Sequence, residues 1–257
     1  MTDGTAALLF DTFTAGRKLD GLPPDLRPGS RAKAYRSQFH LIELTGQRRV
    51  GWKIAATSIA GQKHIGVDGP LGSGLRADRV LRTGATVPLD NNIMRVAEAE
   101  FAFRFSRPLP PRLTPYRMEE VLAAVGTLEP TIEIPDSRYT DFAQVGAEAL
   151  IADCACACWL VVGAPAPDTW RDVDLSRHAV SVSINGEPRA QGTGAAVLGD
   201  PRTALTWLVN EISTYGDGIQ AGEFVTTGTC VVPVALTVGD SVTAHFGPLG
   251  RVDVSIT

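Results

Sequence analysis

The chain has 257 residues, 44% of them hydrophobic and 20% charged, with a formal net charge of −4. That size and balance fit one soluble globular domain over residues 1–257, and they exclude the broad basic field that nucleic acid or an anionic membrane surface requires. No apolar run approaches the roughly 20 residues needed to cross a bilayer. The opening "MTDGTAALLFDTFTAGRKLDG" is too acidic, and its apolar stretch too short, for a secretion signal, so a cytoplasmic location is expected.

Residues 1–48 read as a helical lead and residues 49–257 as a β-rich body. "AALLFDTFTAGR" and "RAKAYRSQFHLIELTG" carry apolar residues at helical spacing on either side of the breaker-rich "LPPDLRPGS", and the second run stops at Gly46. Strand signals follow in "RRVGWKIAA", "ATVPLD", "VAEAEFAFRF" and "PTIEIPD". Between the last two, "TPYRMEEVLAAVGTLEP" predicts a helix with Thr114 as its N-cap and Pro115 at its first position. "AEALIADCACACWLVVG" reads as a buried helix of small residues. Its C-x-C-x-C spacing lacks a nearby histidine, so Cys154, Cys156 and Cys158 are assigned to packing rather than to metal. Asn185-Gly186 predicts a type I′ hairpin, "GDPRTALTWLVNEIS" a helix capped by Asp200 and Pro201, and the tail a succession of strands.

The chemistry starts with "VAEAEFAFRF". As a strand it sends Ala97, Ala99, Phe101, Phe103 and Phe105 to one face and places Glu98 and Glu100 together on the other. Glu133 sits likewise on the polar face of its strand. Three carboxylates on strands suit a hard divalent cation such as Mg²⁺, which takes oxygen ligands and keeps positions open; by spacing alone, a solvated face is the commoner outcome. Lys53 lies on a strand face with Gly51 and Ala55, small neighbours that leave room for a buried ammonium, although a lysine snorkelling at a strand end has the same pattern. Asp68 in "GVDGP" taken alone is turn chemistry.

Together, "AYRSQ", "GWKIAATS", "GVDGP", "VAEAEFAF", "PTIEIPDSRY", "GAAVLGDPRTALTWLVN" and "AHFGPLGRV" resemble, in order, the motifs of the 2-keto-4-pentenoate hydratase / 4-oxalocrotonate decarboxylase family, part of the fumarylacetoacetate hydrolase superfamily. The resemblance runs from about Tyr35 to the end. It implies an α+β fold, a mixed β-roll with outer helices and a helical N-terminal segment, and a homo-oligomer. It also implies one Mg²⁺ or Mn²⁺ held by Glu98, Glu100 and Glu133, Lys53 as the catalytic lysine, Asp68 as its acidic partner, and Thr229 of "TTGT" and Ser58 of "GWKIAATS" against the substrate. The activity implied is a hydro-lyase reaction, addition of water to a 2-hydroxy-2,4-dienoate to give a 4-hydroxy-2-oxo acid. Lys53, with a pKa lowered by burial and the cation, and Asp68 would move the protons.

Two departures bear on the substrate. The family's G-V-D-x-P-D-F-G is here "GVDGPLGSGL", lacking the second acidic residue and the aromatic one in a loop expected to line the substrate mouth, and "ADNAS" is here "ADCACA". Alternatives of the same chemistry are decarboxylation of a 4-oxalocrotonate-like diacid and C–C hydrolysis of a fumarylpyruvate-like diketo acid, which needs a water-activating base. His40 reads as a helix-packing residue, and His64 stands close to the aspartate loop. A non-catalytic subunit partner of a related enzyme is the alternative of another class, and the complete set of acidic residues and lysine argues against it.

Overall fold

Asp3 and Ser30 open the two lead helices. In the computed structural model, which describes residues 3–257, Asp3 accepts from the Ala6 amide at the start of α1 (Gly4–Thr14), and Ser30 caps α2 (Arg31–Leu44). Gly46, at φ +67°, turns the chain out of α2. The helices are tied together by the Ser37 hydroxyl, which donates to Asp3 Oδ2 at 2.9 Å. Gln38 fastens α2 to the body. Its buried amide donates to the Gly72 and Ile151 carbonyls at 3.2 and 2.6 Å and accepts from the Gly74 amide at 3.1 Å.

The body contains strands β1 (Arg49–Ala55), β2 (Leu71–Arg76), β3 (Val80–Arg82), β4 (Ala85–Val87), β5 (Val96–Phe105), β6 (Val125–Ile134) and β7 (Trp159–Val162). It continues with β8 (Ala179–Ile184), β9 (Glu187–Thr193), β10 (Phe224–Thr229), β11 (Val234–Ala235), β12 (Ser241–His245) and β13 (Arg251–Ile256). One sheet runs β2-β1-β10-β5-β6-β7-β3, with β11 added alongside β5; the other runs β4-β13-β12-β8-β9. One apolar cluster is shared between them. Phe101 on β5 meets Phe246, which follows β12, edge-on at 5.1 Å, and Phe101, Phe103 and Phe105 are all buried as the alternation predicts. Gly51 is needed where β1 approaches β10, because a Cβ there would lie 2.5 Å from the Phe224 carbonyl oxygen. That approach, rather than room for Lys53, explains the glycine.

The remaining helices are α3 (Ile59–His64), α4 (Met118–Ala124), α5 (Ala147–Ala152) and α6 (Pro201–Tyr215), the last capped by Asp200 with Pro201 at its first position as expected. The Asn185-Gly186 hairpin also forms, both residues taking positive φ between β8 and β9. Two expectations fail. Thr114 and Pro115 lie ahead of α4, which starts after Arg117, whose amide donates to the Glu120 side chain at 2.9 Å; the chain then runs straight into β6 at Val125, extending that strand well beyond "PTIEIPD". The cysteine segment is not one helix. α5 stops at Ala152, and Cys154, Ala155 and Cys156 form a left-handed turn with φ of +55°, +44° and +64°.

Each non-glycine residue in that conformation costs about 1 kcal/mol or more, so the turn needs anchors. Buried Asp153 accepts from the Ser137 hydroxyl at 2.7 Å and the Arg138 amide at 3.0 Å and pairs with the Arg138 guanidinium, while the Cys156 carbonyl accepts from the Asp136 amide at 3.0 Å. Among the described residues no helix is long and apolar enough to cross a membrane.

Candidate metal centre and its cavity

Antiparallel pairing of β5 with β6 sets Glu98 directly across from Glu133 and Glu100 across from Thr131, so the three glutamates share one face. One oxygen from each falls within 4.8 Å of the others. Glu100 and Glu133 are buried. Oε2 of Glu100 accepts from the Gly228 amide at 3.0 Å, while its Oε1 and the Oε2 of Glu133 have no hydrogen-bond donor and Glu133 Oε1 has only the Lys53 ammonium, 3.1 Å away. Buried carboxylate oxygens left unpaired are costly. Their convergence on one point is what a hard divalent cation would satisfy, so the residues present fit such an ion.

Among the described residues, Lys53 supplies the one positive charge at the cluster. It is buried on β1, its Nζ donating to the Ala155 carbonyl at 2.9 Å and lying 3.1 Å from Glu133 Oε1. In the strand order β10 and β5 separate β1 from β6, a gap of about 14 Å in a flat sheet. Only strong curling brings the ammonium to Glu133. The left-handed cysteine turn has its purpose here, because it aims the Ala155 carbonyl at Lys53.

Three carboxylates and one ammonium leave the cluster doubly negative when all are ionised. Burial and the Glu133 charge, opposed by Lys53, push Glu98 up to about 7. Burial and the charges of Glu133 and Glu98 hold Glu100 well above the ordinary carboxylate range, and burial raises Glu133 against the pull of Lys53. For Lys53, burial favours the neutral amine, but Glu133, Glu98 and Glu100 outweigh it and raise its pKa. The lowered pKa expected from the sequence is therefore not a property of the metal-free site. With the carboxylates neutralised by a bound cation, burial and the cation's own charge would both act on Lys53, and both act downward.

Gly228 approaches so closely that only glycine fits. Its φ is +97°, and a Cβ would stand 2.0 Å from Thr57 Oγ1. Gly228→Ala is expected to destabilise the protein by about 2 kcal/mol or more and to weaken cation binding, since the amide that orients Glu100 must move. Thermal melts and metal titration of the variant check both effects.

A cavity of about 550 Å³ opens from Lys53 and Glu98. Its walls come from α3, the turn at Ala155 and Cys156, the end of β10 and the segment 231–233.

Residues 75–257 match the fumarylacetoacetate (FAA) hydrolase C-terminal family. The chain belongs to the fumarylacetoacetate hydrolase family. Within it, a 2-keto-4-pentenoate hydratase from Burkholderia vietnamiensis is 32% identical over 255 residues, covering 98% of this chain and 96% of that one. A 4-oxalocrotonate decarboxylase from Pseudomonas putida is 33% identical over 225 residues, covering 86% of this chain and 83% of that one. Among solved structures, the 4-oxalocrotonate decarboxylase of Pseudomonas putida G7, complexed with magnesium and adipate, superposes with a TM-score of 0.88 at 28% identity, covering all of this chain and 98% of that one. The mixed, curled sheets with few outer helices are those of the family fold.

Of the residues singled out in this family member's sequence, the structure gathers Lys53, Glu98, Glu100 and Glu133. Thr229 and Ser58 also line the cavity, each with its hydroxyl engaged locally. Thr229 Oγ1 donates to the Val231 carbonyl at 2.9 Å, and Ser58 Oγ accepts from the Gly61 amide at 3.0 Å as the cap of α3. His64 is at the cavity, edge-on to Phe142 at 5.9 Å, while His40 is on α2, 3.5 Å from Asp3, away from it.

Asp68 is not brought in. It sits exposed in the turn between α3 and β2, outside the cavity lining, and the turn itself does not form the mouth. Leu71, where the family motif carries its second acidic residue, is buried in the apolar core. Asp68→Asn is accordingly expected to hold kcat/KM within about twofold of the parent, the usual reach of an exposed substitution, measured on the reaction below. The sequence reading missed the Ala155 carbonyl, the Gly228 amide and the lining residues Met94 and Phe142. Only the glycine in "TTGT" carried a signal.

Proposed function

We propose that the protein is a divalent-metal-dependent hydratase, a hydro-lyase that adds water to a 2-hydroxy-2,4-dienoate and yields a 4-hydroxy-2-oxo acid, with Mg²⁺ or Mn²⁺ as the ion. The observation that carries this reading is the set of three converging carboxylates beside one buried lysine at a mostly apolar cavity. Glu98, Glu100 and Glu133 would hold the ion. Bound there, it would supply Lewis-acid polarisation of a 2-oxo acid.

The chain's own groups do the rest. Lys53 Nζ, held by the Ala155 carbonyl beside Glu133, takes the proton of the 2-hydroxyl and returns a proton to carbon, giving the conjugated 2-oxo-3-enoate. Water then adds its oxygen at C4 and its proton at C3, so the atoms balance. The apolar walls keep other water from the reacting carbons.

Decarboxylation of a 2-oxo diacid would require a partner for a second carboxylate. Among the described residues Lys53 is the only lysine or arginine lining the cavity, and it is already engaged by Glu133 and Ala155, which favours hydration of a monoacid. The deciding experiment follows the ultraviolet absorbance of 2-hydroxypenta-2,4-dienoate with purified protein, with Mg²⁺ or with EDTA, and identifies the product by NMR. Metal-dependent loss giving 4-hydroxy-2-oxopentanoate is expected. Absence of turnover by protein with metal demonstrably bound would sink the proposal.

A further inference from the structure

The cavity is larger and more apolar than a five-carbon dienoate needs. At about 30 Å³ for each water-sized group, the roughly eight non-hydrogen atoms of that acid occupy at most about 240 Å³, against the 550 Å³ present. Its lining includes the polar Thr57, Ser58, Gln191, Thr193 and Thr229. Alongside them is an apolar group, Ile65, Met94, Phe142, Val231, Val232 and Pro233, brought together from four separate stretches of chain, which we call the limb. Its titratable group is His64, which leans edge-on against Phe142. Val232 is 76% exposed beside the opening, a large apolar surface left to water when the limb is empty.

Such a limb rewards methylenes and penalises charge. Each CH₂ moved from water to an apolar wall improves binding by about fourfold, whereas a carboxylate placed there loses its hydration without gaining a cation. We infer that the substrate carries an apolar chain of about four carbons or more at the end remote from its carboxylate, seated in this limb; the inference rests on the hydratase reading for the reaction that the substrate undergoes. A five-carbon dienoate would then be a minimal substrate rather than the preferred one, and a terminal diacid a poor one.

The test separates the limb from the reaction by measuring both binding and turnover on the Mg²⁺-loaded protein. Unreactive 2-oxo acids report on the limb alone in isothermal titration. 2-Oxononanoate is expected to bind at least about tenfold more tightly than 2-oxopentanoate, and 2-oxoheptanedioate no more tightly than 2-oxopentanoate. Met94→Lys, which places an ammonium on the limb wall, is expected to reverse the order of 2-oxononanoate and 2-oxoheptanedioate. Equal binding of the two monoacids within about twofold, or a diacid bound as tightly as 2-oxononanoate by the parent, overturns the inference.

Turnover of 2-hydroxypenta-2,4-dienoate and its 5-butyl homologue is followed on the same samples. A flat binding order with the five-carbon acid hydrated removes the limb and keeps the reaction. The expected binding order without hydration of either dienoate keeps the limb and removes the reaction.

Discussion

Glu100→Gln is expected to abolish metal-dependent turnover and, at the same time, to stabilise the metal-free protein at pH 8. The first effect follows from losing one of three charged ligands; an amide oxygen is a weaker partner for a hard cation. The Kd for Mg²⁺ should rise by about 100-fold or more, and kcat/KM should fall by about 10³ or more.

The second effect has the opposite sign because the glutamate is a burden without the ion. Glu100 is buried beside two other carboxylates, and its pKa is raised well above the ordinary value. A carboxyl whose folded-state pKa is raised contributes stability that is fully present below its unfolded value, about 4.3, and that is lost as pH rises through the folded value. Glu98, pushed up to about 7, contributes in the same sense. The melting temperature of the EDTA-treated parent should therefore fall between about pH 5 and pH 8, and the increment restored by Mg²⁺ should grow over the same range, since the ion displaces protons. Glutamine is nearly isosteric, keeps an oxygen for the Gly228 amide and has no charge to lose. Its metal-free melting temperature at pH 8 should exceed the parent's by about 2–4 °C for each kcal/mol relieved. A variant that loses activity and also melts below the metal-free parent at pH 8 would show that the raised pKa is not what limits the empty site.

How much of this centre was legible in the sequence depends on how local its causes are. Glu98 and Glu100 declared themselves because a strand has a period of two, and the register that sets Glu133 opposite Glu98 continues the same pattern. The hairpin at Asn185-Gly186 and the Asp200 cap were legible for the same reason, each being decided within a few residues. The cysteine turn was not. Small apolar residues suit a helix, and what overrides that preference lies elsewhere in the chain: the Asp136 amide on Cys156, the Arg138 guanidinium on Asp153, and Lys53 on Ala155. The position of Asp68 was not legible for a related reason. "GVDGP" specifies a turn, but whether the turn faces the cavity or the solvent depends on how α3 and β2 leave it. The apolar limb, assembled from Met94, Phe142, the end of α3 and the segment 231–233, exists only once the sheet has curled.

Lys53→Met separates the two jobs assigned to the buried ammonium, counter-charge and proton carrier. As proton carrier, Lys53 acts on the chemical step, so its loss should lower kcat by about 10² to 10⁴ while KM changes little. As counter-charge it opposes the attraction of a cation to the same carboxylates, so the variant should keep Mg²⁺ and bind it more tightly than the parent. Metal-free, however, it leaves Glu133 without its partner at 3.1 Å. Removing one member of a buried pair typically costs about 3–5 kcal/mol, and the melting temperature of the stripped variant at pH 8 should fall accordingly, then recover when Mg²⁺ is added. This response is the reverse of the one expected for Glu100→Gln, although both variants are inactive. The contrast is what ties the two residues to one electrostatic unit: removing a negative charge helps the empty site and harms the loaded one, whereas removing the positive charge does the opposite. A Lys53→Met protein with kcat within about fivefold of the parent would leave the ammonium as counter-charge alone, and the proton carrier would have to be sought among the other groups that face the cavity.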